Sequence, residues 1–165
     1  MASISLYTTY DDVRAILGVS DKELEDAALG QRVYADSLEL DLIEIGATLP
    51  EFITQTEAIH LASRSFEQRQ FLRLVEQFAT YSVARKAGSA LAMSPKTVSD
   101  GKASFSRFAD SPYKQTLELI DREYYRLRAM LAAAFGALIG AADAPSGPPR
   151  YMVGARAAID RVTGS

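Results

Sequence analysis

Residues 94–111 constrain the fold more than any other part of the sequence, because they lie between its two longest segments of helical periodicity. In the flanking segments, 66–93 and 112–142, apolar residues recur at the three- and four-residue spacing of an amphipathic helix. Pro95 prevents the first helix from continuing, and Ser111, which precedes a proline, is a typical N-cap residue. The pattern therefore predicts two long helices joined by a segment that is not helical.

The composition of the joining segment predicts an extended, β-hairpin-like arm. Asp100-Gly101 is a common tight-turn pair, and the residues on both sides of it are compatible with strands. An isolated two-stranded hairpin is at best marginally stable in water, so we expect the arm to pack on its own domain or on another subunit. Phe105 and Phe108 are the expected apolar anchors. The predicted arm contacts are Lys96, Val98, Asp100, Gly101, Lys102, Phe105, Arg107 and Phe108.

Two short helices are predicted before the long pair. Thr9 is placed to cap a first helix, which Gly18 ends. The Ser-x-x-Glu pattern from Ser20 to Glu23 is a capping box, and it predicts that a second helix begins there and runs to about Leu29.

A third helix is predicted over residues 31–49, where apolar residues form one stripe and Pro50 ends the segment. Ser65 and Gln68 form another capping box at the start of the first long helix. Together these segments predict an all-α bundle, a single domain over residues 1–142. The side chains expected to face its core are Tyr34, Leu38, Leu42, Phe71, Phe78, Leu117, Tyr124 and Leu131.

The charge is distributed unevenly along the chain. The net charge of −3 combines −9 over residues 1–62 with +6 over residues 63–165. One interpretation is two solvated faces of one globule. The other is self-association, in which the acidic half of one copy meets the basic half of the next; such a heterologous contact can close into a ring.

The residues needed for catalysis or metal binding are scarce. The chain has one histidine, His60, and no cysteine, so a Glu-x-x-His motif beginning at Glu57 cannot be completed into a di-iron set within one copy. No Gly-x-Ser-x-Gly element is present. We therefore expect no enzymatic activity, no metal and no cofactor, with His60 as a surface or capping residue. The carboxylates of the third helix are expected on a solvated or subunit-facing surface; they are Asp36, Glu39, Asp41 and Glu44.

The first long helix has a basic face. A basic helix face can bind phosphate, but no aromatic residue is interleaved with these cations, and salt bridges to acidic neighbours are favoured. The residues are Arg64, Arg69, Arg73, Arg85 and Lys86.

Residues 143–165 are predicted to form an extended C-terminal tail, because their Pro- and Gly-rich start cannot form a helix. Apolar residues later in the segment favour a tail that docks on a partner over a purely disordered one. The predicted docking residues are Arg150, Tyr151, Met152, Val153, Arg156, Ile159 and Arg161.

The order of these features resembles the head–tail adaptor (connector) proteins of tailed bacteriophages and gene transfer agents. The similarity covers about residues 5–140 and lies in three stretches, YTTYDDVRAILGVSDKELED, LGQRVYADSLELDLIEIGATL and the VSDGKASFSRF arm. The resemblance implies a small helical protein, without enzymatic activity or cofactor, that assembles as a ring of usually about twelve copies beneath the portal. Such rings extend the DNA channel and present the platform on which the tail docks.

The resemblance also implies the partners of the chain. These are further copies of itself, the portal protein, a tail or tail-completion protein, and double-stranded DNA that passes without sequence-specific binding; no membrane is implied. The arm, carried over as residues 96–108, and the tail, residues 148–165, would reach neighbouring subunits or the portal. The implied location is the head–tail interface of the virion, after synthesis in the host bacterial cytoplasm.

Two alternatives belong to other classes of protein. A phage accessory protein that binds single-stranded DNA would need a basic groove with stacking aromatic residues, whereas this chain is acidic and has no tryptophan. A small metal-dependent enzyme is disfavoured by the single histidine.

Overall fold

The computed structural model describes residues 4–93, 97–100, 103–106 and 111–142, and within these it is mostly helical, as predicted. Six α-helices and two short strands are described, together with 3₁₀ turns at Ile4–Leu6 and Leu61–Ser63. The elements are α1 (Tyr10–Leu17), α2 (Asp26–Leu29), α3 (Arg32–Ile45), α4 (Leu49–Ala58), α5 (Phe66–Met93), β1 (Thr97–Asp100), β2 (Ala103–Ser106) and α6 (Ser111–Ala142).

The first helix begins and ends where local sequence predicts. The Thr9 hydroxyl oxygen accepts a hydrogen bond from the Asp12 amide at 3.1 Å, which satisfies one of the unpaired donors of the first turn. Gly18 ends α1 with a φ of 65°, a left-handed conformation that glycine adopts without strain. Both predicted caps of α1 are confirmed.

The second helix starts later than its capping box predicts. The Glu23 carboxylate does accept from the Ser20 amide at 2.8 Å, but residues 21–24 form a turn and α2 begins only at Asp26. The prediction of a helix from Ser20 was therefore wrong. The turn is held by a tertiary contact, in which the buried Arg14 Nε donates to the Leu24 carbonyl at 2.8 Å.

The third helix ends four residues earlier than predicted, and a further helix begins at Leu49, the last residue of the predicted range. α3 ends at Ile45, Gly46 takes an extended conformation, and Pro50 lies in the first turn of α4 instead of ending α3. Proline is well suited to a first turn because its missing N–H has no helical acceptor there. The break allows α6 to approach: a Cβ atom built on Gly46 would lie 2.4 Å from Cε1 of Phe135.

We expect Gly46→Ala to destabilise the protein by about 1–3 kcal/mol, since an added methyl group overpacks this contact. The Phe135 ring has little room to move, because it meets the Phe52 ring at 5.5 Å and the Phe71 ring at 6.5 Å. Urea unfolding measures the change. Gly136→Ala on α6 is the matched control, because nothing lies within 4 Å of its added Cβ; it should be neutral or slightly stabilising. Equal effects at both sites would contradict the packing argument.

The two long helices form the centre of the fold. They run antiparallel, because Phe71 contacts Phe135 near one end of α5 and Arg85 contacts Asp121 towards the other. α5 begins at the predicted box, where the Ser65 amide donates to Gln68 Oε1 at 2.9 Å and the Gln68 amide to Ser65 Oγ at 3.2 Å. Two small residues of α5, Ala84 and Ala87, are fully buried. Their small side chains allow α5 and α6 to approach each other closely.

The remaining helices pack around this pair, and most of the predicted core is confirmed. Six of the eight predicted residues are buried: Leu38, Leu42, Phe71, Phe78, Tyr124 and Leu131. The other two, Tyr34 and Leu117, are half-buried at the edge of the core. Truncating Leu117 should therefore cost less than truncating a fully enclosed leucine such as Leu131.

The segment between α5 and α6 contains two four-residue strands. β1 and β2 pair antiparallel, with Val98 opposite Phe105 and Asp100 opposite Ala103. Asp100 is thus the last residue of β1, so its predicted place in the turn was wrong. Residues 101–102 lie outside the described part of the chain.

Candidate functional site

Two of the five cations of the basic face, Arg85 and Lys86, are paired with carboxylates of neighbouring helices. Arg85 Nε lies 2.5 Å from Asp121 Oδ1, and its guanidinium stacks over the rings of Tyr124 and Tyr125 at 4.8 and 5.4 Å. Arg64 donates to the backbone carbonyls of residues 59 and 57 at 2.9 and 2.6 Å. The prediction that salt bridges outweigh phosphate binding on this face is confirmed for Arg85 and, as described next, for Lys86.

Asp41 is a structural residue, contrary to its predicted place on a solvated face. Its Oδ2 accepts from the buried Ser82 hydroxyl at 2.5 Å and from Lys86 Nζ at 2.7 Å, and Lys86 also donates to the Ser37 carbonyl at 3.0 Å. The side chain is 15% exposed. Ser82 and Lys86 are four residues apart on α5, so they lie on one face and meet Asp41 together.

His60 has the capping role that was predicted. Its Nδ1 accepts from the Ala62 amide at 3.3 Å and caps the second 3₁₀ turn. Among the described residues, no cluster of three or more His, Asp or Glu side chains is arranged to hold a metal ion. No described helix is long and apolar enough to cross a membrane.

A groove with a volume of about 540 Å³ lies between the first 3₁₀ turn, the end of α4 and the first half of α5. Leu72 and Val75 line it from α5. Leu6 and Leu61 line it from the two 3₁₀ turns and are 61% and 64% exposed. An open groove with exposed leucines is typical of a surface that another protein covers.

The charges of the groove are mixed, and residues of both signs lie outside the ion pairs formed between described residues. Arg69 and Arg73 are exposed and lie one turn apart on α5, and no ion pair between described residues involves either. Glu57 and Glu76 also line the groove. Burial raises the pKa of the Tyr7 hydroxyl at its edge, and the negative charges of Glu57 and Glu39 raise that pKa further.

The outer face of α3 is the second exposed apolar surface. Val33 and Leu40 are both 61% exposed, and Ile43 follows them one turn later. The carboxylates of Asp36 and Glu39 are also exposed on this helix. Asp36 pairs with Arg32 at 3.0 Å, while no ion pair between described residues involves Glu39.

The predicted arm and tail sites fall mainly outside the described residues. Of the arm residues, Val98, Asp100 and Phe105 lie in the two strands. The other predicted arm residues, Lys96, Gly101, Lys102, Arg107 and Phe108, are not described. The whole predicted tail, Arg150, Tyr151, Met152, Val153, Arg156, Ile159 and Arg161, also lies outside the described part.

Sequence reasoning missed the groove because three separate segments build it. The one local signal was the pair of cations Arg69 and Arg73, four residues apart on one face of a helix. Comparisons with protein-family models, with curated proteins and with solved structures find no match to this chain.

Proposed function

We propose that the protein is a head–tail adaptor of a tailed bacteriophage or gene transfer agent. In this role copies of the chain assemble as a ring beneath the portal, extend the DNA channel and provide the surface on which the tail docks. The observation that carries the proposal is the paired-strand segment between two long, antiparallel helices. In the proteins that the sequence resembles, the stretch corresponding to VSDGKASFSRF is an arm between two long helices.

The strands support the proposal because eight residues in two strands are too few to be stable alone in water. A contact with a neighbouring subunit would supply the missing packing and hydrogen bonds. In the ring, the arm over residues 96–108 lies on an adjoining copy, and the tail over residues 148–165 docks on the portal or an adjoining ring protein.

The charge arrangement also supports a protein that lets DNA pass. Phosphate contacts dominate the affinity of proteins for DNA, and here Arg85 and Lys86 are held by Asp121 and Asp41. The chain as a whole carries a net charge of −3. A channel built from such subunits would hold DNA weakly.

Two deletions test the adaptor function. Removing residues 149–165 should leave the bundle folded but prevent heads from joining tails, while removing residues 97–107 should weaken ring formation. Circular dichroism checks the fold, native mass spectrometry counts the subunits, and electron microscopy of particles scores joined heads and tails. Normal, infectious particles from both deletions would overturn the proposal.

The alternative, binding of single-stranded DNA, predicts a different result with the intact protein. We expect affinity for an oligothymidylate to be weaker than micromolar at physiological salt, because few cations remain to neutralise phosphates. Fluorescence anisotropy over a salt series measures this. Sub-micromolar binding that weakens steeply with added salt would favour the DNA-binding function instead.

A further inference from the structure

The groove lies at the end of the bundle where α6 stops and the C-terminal tail begins. α5 and α6 run antiparallel, and the Phe135 ring contacts the Phe71 ring. Ala142, the last residue of α6, is seven residues beyond Phe135, so α6 ends about level with Arg64, which lines the groove. The 23 residues of the tail, 143–165, therefore start at the same end of the bundle as the groove.

We propose that the tail of each free copy lies in the groove of the same copy, where residues 151–159 cover the exposed leucines. To reach it, the tail must pass around α5, because Arg69, Arg73 and Glu76 line the groove from the side of that helix roughly opposite Phe71. An α-helix with its side chains is about 10–12 Å wide. Residues 143–150 contain three prolines, and eight residues at about 3.1 Å each span about 25 Å. The connector is long enough for the crossing.

The size of the groove suits a short segment of chain. Its volume of about 540 Å³ is that of a pocket for a small ligand, about 300–1,000 Å³, so it accepts a few side chains and not a whole helix of a second copy. Contact with Leu6 and Leu61 would remove apolar surface of the tail and of the groove from water. The apolar side chains of the docking segment are Tyr151, Met152, Val153 and Ile159.

Reach, and not charge, selects the tail over the arm. Residues of both signs line the groove, so its charge selects neither segment. The arm starts after Met93, which is 17 residues or about 26 Å along α5 from Glu76, the nearest residue of the groove. Residues 94–110 are anchored at both ends, so about eight of them lead outward and reach about 27 Å when fully extended. Pairing of β1 with β2 shortens that reach, and the arm falls short of the groove.

This contact belongs to the free protein and goes beyond the proposed function. In an adaptor, the portal would have to displace the tail from the groove, so that docking of the tail also uncovers Leu6 and Leu61 for the next contact in assembly. The free protein would then keep its docking segment covered until a portal is present.

A nitroxide label tests the contact in the full chain, which has no cysteine of its own. Thr163→Cys carries the label just after the docking segment, and leucine methyl NMR reports which side chains the label approaches. Leu61 and Leu72 should lose most of their signal intensity. Leu119, exposed on α6 and about 22 Å from Leu72 along the helix pair, should keep its intensity.

Two pairs of substitutions locate the docking site. Leu6→Ser with Leu61→Ser removes the exposed leucines of the groove, so the Leu72 signal should recover its intensity in the labelled chain. Leu40→Ser with Leu119→Ser is the matched control, because these leucines are 61% and 55% exposed outside the groove, against 61% and 64% for the first pair. The control should leave the loss at Leu72 unchanged.

A mixed sample separates contacts within one copy from contacts between copies. It combines nitroxide-labelled protein without isotope and isotope-labelled protein without nitroxide, and it should show full intensity at Leu61 and Leu72. An equal loss in this mixture would place the tail in the groove of another copy and overturn the inference. Full intensity in the labelled chain, or a loss at Leu72 that survives the groove substitutions, would overturn it as well. These measurements need no ring and no portal, so the particle assays of the two deletions judge the adaptor function separately.

Discussion

Phe78→Ala should lower the free energy of unfolding by about 3–5 kcal/mol, the usual cost of emptying a fully enclosed phenylalanine site. Phe78 is completely buried, and its ring lies 5.4 Å from the ring of Tyr124 between the two long helices. Because domains of this size are stable by only about 5–15 kcal/mol, the variant should be close to unfolding at 37 °C. Urea unfolding followed by circular dichroism measures the loss.

Phe66→Ala is the matched control, because Phe66 lies on the same helix and is exposed. Its replacement should change stability by about 0.5 kcal/mol or less. The slope of the urea dependence should be the same for both variants, which shows that the loss belongs to the folded state. A cost at Phe78 no larger than at Phe66 would contradict the assignment of the core between α5 and α6.

Asp41→Ala should cost about 2–4 kcal/mol, because it removes the one carboxylate that holds both Ser82 and Lys86. The buried Ser82 hydroxyl loses its acceptor, and the half-buried Lys86 ammonium keeps only the Ser37 carbonyl among the partners described. Thermal and urea unfolding both report the change.

Two further variants isolate the cause. Asp36→Ala removes an exposed acid from the same helix and should cost about 0.5 kcal/mol or less. Asp41→Ala combined with Lys86→Met should recover part of the loss, because no unpaired ammonium then remains. If the combined variant is no more stable than Asp41→Ala alone, the buried charge is not the source of the effect.

Where the structure agrees with the predictions from the sequence, interactions between residues close in the sequence determine the local structure. Thr9 and Gly18 limit α1, and the box at Ser65 starts α5, because side-chain and backbone groups within four residues of each other satisfy the helix ends. The long amphipathic stripes of α5 and α6 also identify their buried faces directly. These parts of the fold were predictable without knowledge of any distant contact.

Where a prediction from the sequence was wrong, the structure has a contact with a residue that is distant in the sequence. Arg14 donates to the Leu24 carbonyl in the turn that precedes α2, and Phe135 packs against Gly46 between α3 and α4. Asp41 is not on the solvated surface that was predicted for it, because it forms an ion pair with Lys86. The groove has the same origin, since its walls come from three segments whose proximity only the folded chain creates.

The length of α5 has a mechanical consequence. Its 28 residues span about 42 Å, with Arg69 near one end and the strands following the other. Because α5 is packed against α6, we expect the two helices to tilt together as one rigid body. A tilt of about 5° at the groove would displace the far end by roughly 4 Å, which is close to the spacing between neighbouring β-strands. A tilt of this size at one end of the helix pair would thus move the other end by about the rise of one strand residue, roughly 3.3 Å.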